Sequence, residues 1–220
     1  MTQAAEHAVS AESKARFRTA VEWWDALGNV PFGRIVFDPP PGTATEADVL
    51  RLNDKEDRLC ELVNGTLVEK TMGYDESVIA ARIIYLLSAF VVPKRLGQIS
   101  APDGMMQILE HQVRIPDVAF VALDRFPNRR IPKGPIPAIW PDLAVEVLSE
   151  SNTRREMQIK LTEYFAAGTR LVWYVDPKTR TVEVYTSPER MRRLGMDATL
   201  DGGEVLLGFG VQVAEIFDID

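Results

Sequence analysis

Three polar residues lie in or beside apolar segments and could together hydrolyse a phosphodiester bond. Asp117 follows Pro116 at the start of an apolar stretch, Glu146 lies within the apolar stretch 143–148, and Lys160 follows on a predicted helix. A carboxylate in such a strand loses hydration worth several kcal/mol unless a positive or hydrogen-bonding group compensates it. Two carboxylates can hold a magnesium-like ion that polarises a phosphate, and a lysine can orient the attacking water or stabilise the developing charge. The spacing alone gives this site weak support, because acidic residues at strand ends are common.

The strand and helix predicted between Pro141 and Gly168 would bring Glu146 and Lys160 together. Thr153 and Glu156 have capping-box spacing, and Gly168 stands where a C-terminal cap is expected. If the helix folds back over its own strand, Lys160 lies about 10 Å down from the helix start, at roughly 1.5 Å per residue. Glu146 lies about 7 Å back from the strand end, so a lysine side chain can bridge the difference.

The remaining pattern predicts a mixed α/β fold, in which helices flank a central sheet that has an antiparallel part. Asn64-Gly65 is a strong two-residue hairpin signal between Leu62-Val63 and Leu67-Val68. A helix is predicted from about Asp75 to Phe90. Further strands are predicted at 107–110, 117–123, 143–148, 171–175 and 181–185, with a last short strand after 201–203.

Residues 1–59 are predicted to form an N-terminal helical appendage and linker, and residues 60–220 the core domain. Helical spacing runs from Ala15 to Leu27, and the turn-rich segment 38–42 follows. A second short helix is expected after Thr43 or Thr45. The appendage contains no grouping of acids, histidines or cysteines that chemistry would require.

Composition places the 220-residue chain among globular proteins, with 46% hydrophobic and 26% charged residues. No secretory signal is expected at the N-terminus, and no apolar run is expected to approach the length needed to span a membrane. Cys60 is the only cysteine, so a reducing cytoplasm is the default expectation. The net charge of −7 argues against a strong nonspecific nucleic-acid binder but not against an enzyme that meets DNA briefly. Basic groups such as 190–193 could touch phosphates, but they are interpreted as solvated surface.

Several ordered motifs resemble the Uma-two family of restriction-endonuclease-like proteins, a branch of the PD-(D/E)xK nuclease superfamily. The resemblance covers about Cys60 to Phe217. It rests on the Glu-Leu-Val-Asn-Gly hairpin at 61–65, Arg-Ile-Pro-Asp-Val at 114–118, the segment 141–149, the Lys-Tyr-Gly spacing of Lys160, Tyr164 and Gly168, and Val-Trp-Tyr-Val-Asp-Pro at 172–177.

The resemblance implies a restriction-endonuclease-like core that cleaves DNA with Mg²⁺ or Mn²⁺. Asp117 and Glu146 match the metal-binding motif residues, and Lys160 matches a catalytic lysine supplied by the following helix. The usual lysine position, two residues after the glutamate, is Leu148 here. Glu69 is an additional candidate metal ligand. The alternative interpretation is that Glu69 is a solvated residue at the end of a strand. Folds of this type often pair to cut two strands, so a homodimer is expected.

Two alternatives to an endonuclease stay open at the level of sequence. The departure at Leu148 and the acidic charge also suit a catalytically silent scaffold that keeps the fold and binds a protein or nucleic acid. A metal-dependent hydrolase of a smaller phosphate ester would use the same three residues. The sequence predicts neither a preferred DNA sequence nor a biological pathway.

Overall fold

The computed structural model describes residues 17–218. The predicted start of the first helix at Ala15 and the segment from Met1 to Ser13 lie outside the described residues. The helices are α1 (Ala20–Ala26), α2 (Glu46–Glu56), α3 (Tyr74–Lys94), α4 (Arg154–Ala167) and α5 (Val213–Phe217). The strands are β1 (Ile35–Val36), β2 (Cys60–Val63), β3 (Thr66–Glu69), β4 (Gly97–Ser100), β5 (Met106–Leu109), β6 (Gln112–Arg114), β7 (Val118–Ala122), β8 (Leu143–Val147), β9 (Leu171–Asp176), β10 (Thr181–Ser187), β11 (Arg190–Leu194), β12 (Thr199–Gly202) and β13 (Leu206–Gln212).

These strands form a mixed α/β architecture, as predicted. A six-stranded sheet has the order β11-β10-β9-β8-β7-β4, a five-stranded sheet has the order β1-β3-β2-β6-β5, and β12 pairs with β13. Within the six-stranded sheet only β8 and β9 are parallel neighbours, and α4 connects them. Parallel neighbours need such a crossover connection, which explains why a capped helix follows β8.

Both faces of the six-stranded sheet are covered, and successive residues of a strand point to opposite faces. On one face Leu143, Val145 and Val147 of β8 join an apolar cluster that includes α3, α5 and β13. On the other face Ala144 joins a cluster that includes Met157, Leu161 and other residues of α4. Since Glu146 alternates with Val145 and Val147, it lies on the face that α4 covers.

Helix α3 corrects the expectation that no apolar run approaches the length needed to span a membrane. Among the described residues it is the single helix long and apolar enough, by length and composition, to cross a membrane, with 21 residues and a mean hydropathy of 1.6. Core helices of soluble proteins meet the same criterion. Ile79, Ile83, Leu87 and Val91 of α3 pack in the apolar cluster against the sheet.

The segment between residues 17 and 59, predicted as a helical appendage, also contributes a strand. β1 pairs with β3 at the edge of the five-stranded sheet, and Val49 and Leu52 of α2 join the apolar cluster of that sheet. Arg34 binds Glu156 at the start of α4 through two hydrogen bonds of 2.9 and 3.0 Å. The segment is therefore attached to both the five-stranded sheet and α4, the helix that carries Lys160.

Strand β11, interpreted from the sequence as solvated basic surface, forms one edge of the six-stranded sheet. Arg190, Arg192 and Arg193 of this strand are exposed. Arg192 pairs with Asp201 at 3.0 Å, and Arg193 pairs with Glu183 on the neighbouring strand. The strand thus combines a free edge with cationic side chains.

Candidate active site

Neighbouring strands place Asp117 and Glu146 side by side. Val118 of β7 pairs with Val145 of β8 in an antiparallel register, so the residues one step further along, Asp117 and Glu146, lie next to each other. The backbone N–H of Val147 donates to Asp117 Oδ2 at 2.6 Å. Both carboxylates are almost fully buried, with 5% of each side chain exposed.

Helix α4 brings a lysine and a tyrosine to the same carboxylate. Lys160 Nζ lies 3.5 Å from Glu146 Oε2, and the Tyr164 hydroxyl donates to Glu146 Oε1 at 2.6 Å. The two residues are four apart and therefore share a helix face. The structure thus brings together Asp117, Glu146 and Lys160, the three residues that the sequence selected.

Glu61 of β2 also belongs to this site, although the sequence analysis quoted it only as part of a hairpin motif. Its Oε1 lies 2.9 Å from Lys160 Nζ, and its Oε2 lies 2.8 Å from Arg114 Nη1. Its side chain is 1% exposed. Glu61 stands between Cys60 and Leu62, which is the same anomaly of a carboxylate in an apolar strand that identified Glu146.

Lys70 is the other member that sequence reasoning missed. Its Nζ lies 2.7 Å from Asp117 Oδ1 and 3.9 Å from Glu146 Oε2, and it donates to the backbone carbonyl of Ile115. Glu61 is the cross-strand partner of Val68, and side chains two apart in a strand point the same way, so Lys70 lies on the face of Glu61. We refer to Glu61, Lys70, Asp117, Glu146 and Lys160 as the charged cluster.

Glu69, the additional candidate ligand, points the other way. Its Oε2 accepts a hydrogen bond from Arg58 Nη2 at 2.7 Å. Glu69 pairs with Cys60 in the hairpin, one residue out of phase with the face that carries Glu61. The structure therefore does not bring Glu69 into the charged cluster.

Burial and neighbouring charges shift the pKa values of Glu146 and Glu61 in opposite directions. Burial raises the pKa of Glu146, and the charges of Lys160 and Lys70 only partly oppose that rise. Burial also acts to raise the pKa of Glu61, but Lys160, Arg114 and Lys70 together hold that pKa below its usual range. For Lys160, burial acts to lower the pKa, yet Glu146 and Glu61 outweigh it and raise the pKa, so the ammonium stays charged.

The donor set fits a hard divalent cation. Asp117 Oδ1 and Glu146 Oε2 lie 2.7 and 3.9 Å from the same atom, Lys70 Nζ. The two oxygens are therefore closer to each other than about 8 Å, the separation beyond which two carboxylates cannot share an ion. Within residues 17–218 no group of three acidic, histidine or cysteine residues is arranged to hold a metal. A Mg²⁺ ion commonly uses one or two carboxylates and keeps several waters, so two are sufficient.

Leu148, at the usual lysine position of the superfamily motif, is partly buried against the apolar cluster beneath α4. It lies on the same face of the sheet as Glu146, two residues earlier. The ammonium beside Glu146 therefore comes from α4 and from Lys70, and not from β8 itself.

Comparisons with known proteins agree with this architecture. Residues 46–214 match the model of the Uma2 (Uma-two) family, described as a putative restriction endonuclease. Similar solved structures include the crystal structure of a putative nuclease belonging to DUF820 from Anabaena variabilis ATCC 29413 at 1.96 Å resolution. It is 20% identical, with a TM-score of 0.66, over 73% of this chain and 90% of that chain. This likeness concerns the fold, and it confirms the restriction-endonuclease-like core. No curated protein matches the chain.

Proposed function

We propose that this chain, which belongs to the Uma2 family as its motifs predicted, is a Mg²⁺-dependent DNA endonuclease. The observation that carries the proposal is the convergence of Asp117 and Glu146 on one cation position, with the Lys160 ammonium 3.5 Å from Glu146. Mn²⁺ would serve in place of Mg²⁺, because both prefer oxygen ligands. The proposal places the enzyme in the cytoplasm, where a chain whose only cysteine is Cys60 needs no disulfide.

Each residue of the site has a defined role in this proposal. Asp117 and Glu146 would hold the ion, which supplies Lewis-acid polarisation of the phosphate and a water of lowered pKa. Lys160 keeps a positive charge at the site, where it can orient the attacking water or stabilise the developing phosphate charge. Glu61 positions the Lys160 ammonium from the other side, and the Tyr164 hydroxyl fixes the orientation of Glu146.

Plasmid cleavage with wild type, Lys160→Met and Glu146→Ala in Mg²⁺ and in Mn²⁺ tests the proposal. Loss of a charge-stabilising group of this kind lowers the rate on the order of 10² to 10³-fold, and we expect that loss for Lys160→Met. Glu146→Ala removes a metal ligand and should abolish cleavage. Lys178→Met, which changes an exposed lysine in the β9–β10 turn, is the matched control and should cleave like wild type.

The assay must be run where every variant is folded. Lys160→Met leaves Glu61 and Glu146 without the cation that separates them, so we expect it to lower stability by about 3 kcal/mol. Circular dichroism melts of each variant set the assay temperature below the lowest melting point. Cleavage that survives in folded Lys160→Met and Glu146→Ala would contradict this assignment of the site.

A catalytically silent scaffold is the second candidate, and the burial of the site supports it. The side chains of Lys70, Asp117 and Glu146 are only 5–7% exposed, so the chain itself covers the cation position. A scaffold would show no cleavage by wild type on supercoiled, linear or single-stranded DNA with either metal.

A further inference from the structure

Lys70 occupies the position on which the two metal-binding carboxylates converge. Its ammonium contacts Asp117 Oδ1 at 2.7 Å and lies 3.9 Å from Glu146 Oε2. Lys160, by contrast, lies between Glu146 and Glu61. The two lysines therefore have different places in the charged cluster, and only Lys70 contacts both Asp117 and Glu146.

Lys70 is the most exposed member of the charged cluster and lies outside any helix or strand. It follows the last residue of β3 and precedes α3, so it belongs to neither element. Its side chain is 7% exposed, the largest value in the charged cluster, in which Glu61 has 1% and Lys160 has 3%. Lys160 is held within a capped helix, whereas Lys70 lies on the connection between β3 and α3.

The charges of the cluster favour exchange of Lys70 for a divalent ion. Glu61, Asp117 and Glu146 supply three negative charges, and Lys70 and Lys160 supply two positive charges. Arg114, which contacts Glu61, is balanced by Glu163 at 2.5 Å. One negative charge remains, and a divalent ion in place of the Lys70 ammonium would neutralise it.

We propose that Lys70 is an internal competitor of the catalytic metal, which holds the cation position between Asp117 and Glu146 until a divalent ion displaces it. Lys70 therefore sets the metal affinity of the site, and its departure uncovers the carboxylates. This inference rests on the proposed function, because it requires that Asp117 and Glu146 bind a divalent ion.

Isothermal titration of the full chain with Mn²⁺, and separately with Ca²⁺, measures the competition directly. Lys70→Met and Lys70→Gln remove the charge, and Gln keeps a hydrogen-bond donor for Asp117 in case Met prevents folding. We expect both to bind Mn²⁺ at least about tenfold more tightly than wild type, because an ammonium at the ion's own position opposes binding strongly in a buried site. Lys70→Arg keeps the charge and should bind no more tightly than wild type.

Nuclear magnetic resonance of wild type labelled with ¹³C at lysine Cε reports the displacement independently of the variants' stability. The Lys70 signal is the one missing from Lys70→Gln or Lys70→Arg. On addition of Ca²⁺ we expect this signal to move to the position typical of solvent-exposed lysines, while the Lys178 signal stays unchanged.

The outcomes separate this inference from the proposed function. If wild type binds Mn²⁺ but Lys70→Met and Lys70→Gln bind it equally or more weakly, Lys70 is no competitor, although the metal site stands. A Lys70 signal that does not move when Ca²⁺ binds leads to the same conclusion. If neither wild type nor any Lys70 variant binds Mn²⁺, both the competition and the metal site are wrong.

Discussion

The Glu146 carboxylate accepts hydrogen bonds from a charged donor, Lys160, and from a neutral donor, Tyr164. Substitution of Tyr164 tests whether Glu146 is charged in the folded protein. The Tyr164 hydroxyl donates to the Glu146 carboxylate at 2.6 Å, and both groups are buried. Tyr174, equally buried, donates at the same distance to a neutral acceptor, the backbone carbonyl of Met157. The pair therefore separates a hydrogen bond to a charge from one to a neutral oxygen.

We expect Tyr164→Phe to lower the free energy of unfolding by about 2 kcal/mol and Tyr174→Phe by about 1 kcal/mol, because hydrogen bonds to charged groups contribute more. Urea denaturation at pH 7 measures both variants. Equal losses would mean that Glu146 does not accept from Tyr164 as a carboxylate. The Tyr164 variant should also cleave DNA more slowly, because Glu146 loses the donor that orients it.

Individual residues show why sequence reasoning found part of the site and missed the rest. Asp117, Glu146 and Lys160 were selected because each is polar beside an apolar run. Glu61 satisfied the same criterion but was absorbed into a hairpin motif. Lys70 could not be found in this way, since it lies outside any apolar run. Only the hairpin register shows that its side chain points to the face of the sheet that carries Glu61, and that Glu69 points to the other face.

At the scale of elements, Asp142 links the start of β8 to the segments on either side. Its carboxylate accepts from the backbone N–H of Ala122 at 2.8 Å, from Arg125 at 2.6 Å and from Arg170 at 2.9 Å. Burial acts to raise the pKa of Asp142, but these hydrogen bonds, with that from Arg125 the largest, outweigh burial and lower the pKa.

This lowered pKa predicts a pH-dependent contribution to stability. The stabilisation is complete above the unfolded value of about 4 and is lost as the pH falls through the lower folded value. We expect Asp142→Asn to cost about 2 kcal/mol at pH 7 and progressively less below pH 4. Urea denaturation between pH 7 and pH 3 measures the difference from wild type.

Asp201→Asn is the control for Asp142, because Asp201 pairs with Arg192 at a half-exposed site. Its cost at pH 7 should stay below about 1 kcal/mol. A difference between Asp142→Asn and wild type that is the same at pH 7 and pH 3 would contradict the prediction.

The contact between Arg34 and Glu156 attaches the N-terminal segment to α4. Both side chains are buried, with 8% and 4% exposed, and the contact is bidentate. We expect Arg34→Met to destabilise the protein by about 3 kcal/mol, because it leaves Glu156 buried without its cation. Arg34→Met combined with Glu156→Gln should cost less than the sum of the single changes. Arg51→Met, at a partly exposed ion pair with Glu56, should cost no more than about 0.5 kcal/mol. Denaturation of all four variants measures these differences.

Several elements followed from sequence, and those that did not have physical reasons. The hairpin, α3, α4 and β8–β10 were predicted, because caps, turn residues and periodic apolar residues mark them. The two-residue strand β1 and the arginine-rich β11 were not, because their strand character comes from pairing with β3 and β10. The division at residue 59 stays a prediction, although the segment before it supplies an edge strand to the first sheet.

For the whole molecule, the homodimer expected from the family resemblance stays a prediction. The two tryptophans of α1 do not support it, because they pack within the chain. Trp23 of α1 is buried within the chain, so it does not supply an interface, and its indole N–H donates to the Thr66 hydroxyl at 3.0 Å. Trp24 stacks on Phe32 with ring centroids 5.0 Å apart. The exposed apolar groups near these tryptophans include Val21, Phe32 and Phe37.

We expect light scattering at tens of micromolar to give twice the chain mass of 24.6 kDa. A monomer mass at that concentration would count against the homodimer. If the surface around Phe32 forms the interface, Phe32→Glu should shift the mass toward the monomer. Leu207→Glu, at an exposed position on β13, is the matched control and should leave the mass unchanged.

The arginine-rich strand β11 has a consequence for solubility. A free strand edge presents unpaired backbone groups on which the same edge of another molecule can add, and such addition extends the sheet into aggregates. Two β11 strands brought edge to edge would bring Arg190, Arg192 and Arg193 of one strand close to the arginines of the other, and like charges at such short range are unfavourable. The basic run interpreted in the sequence as solvated surface is therefore expected to oppose self-association at this edge of the sheet.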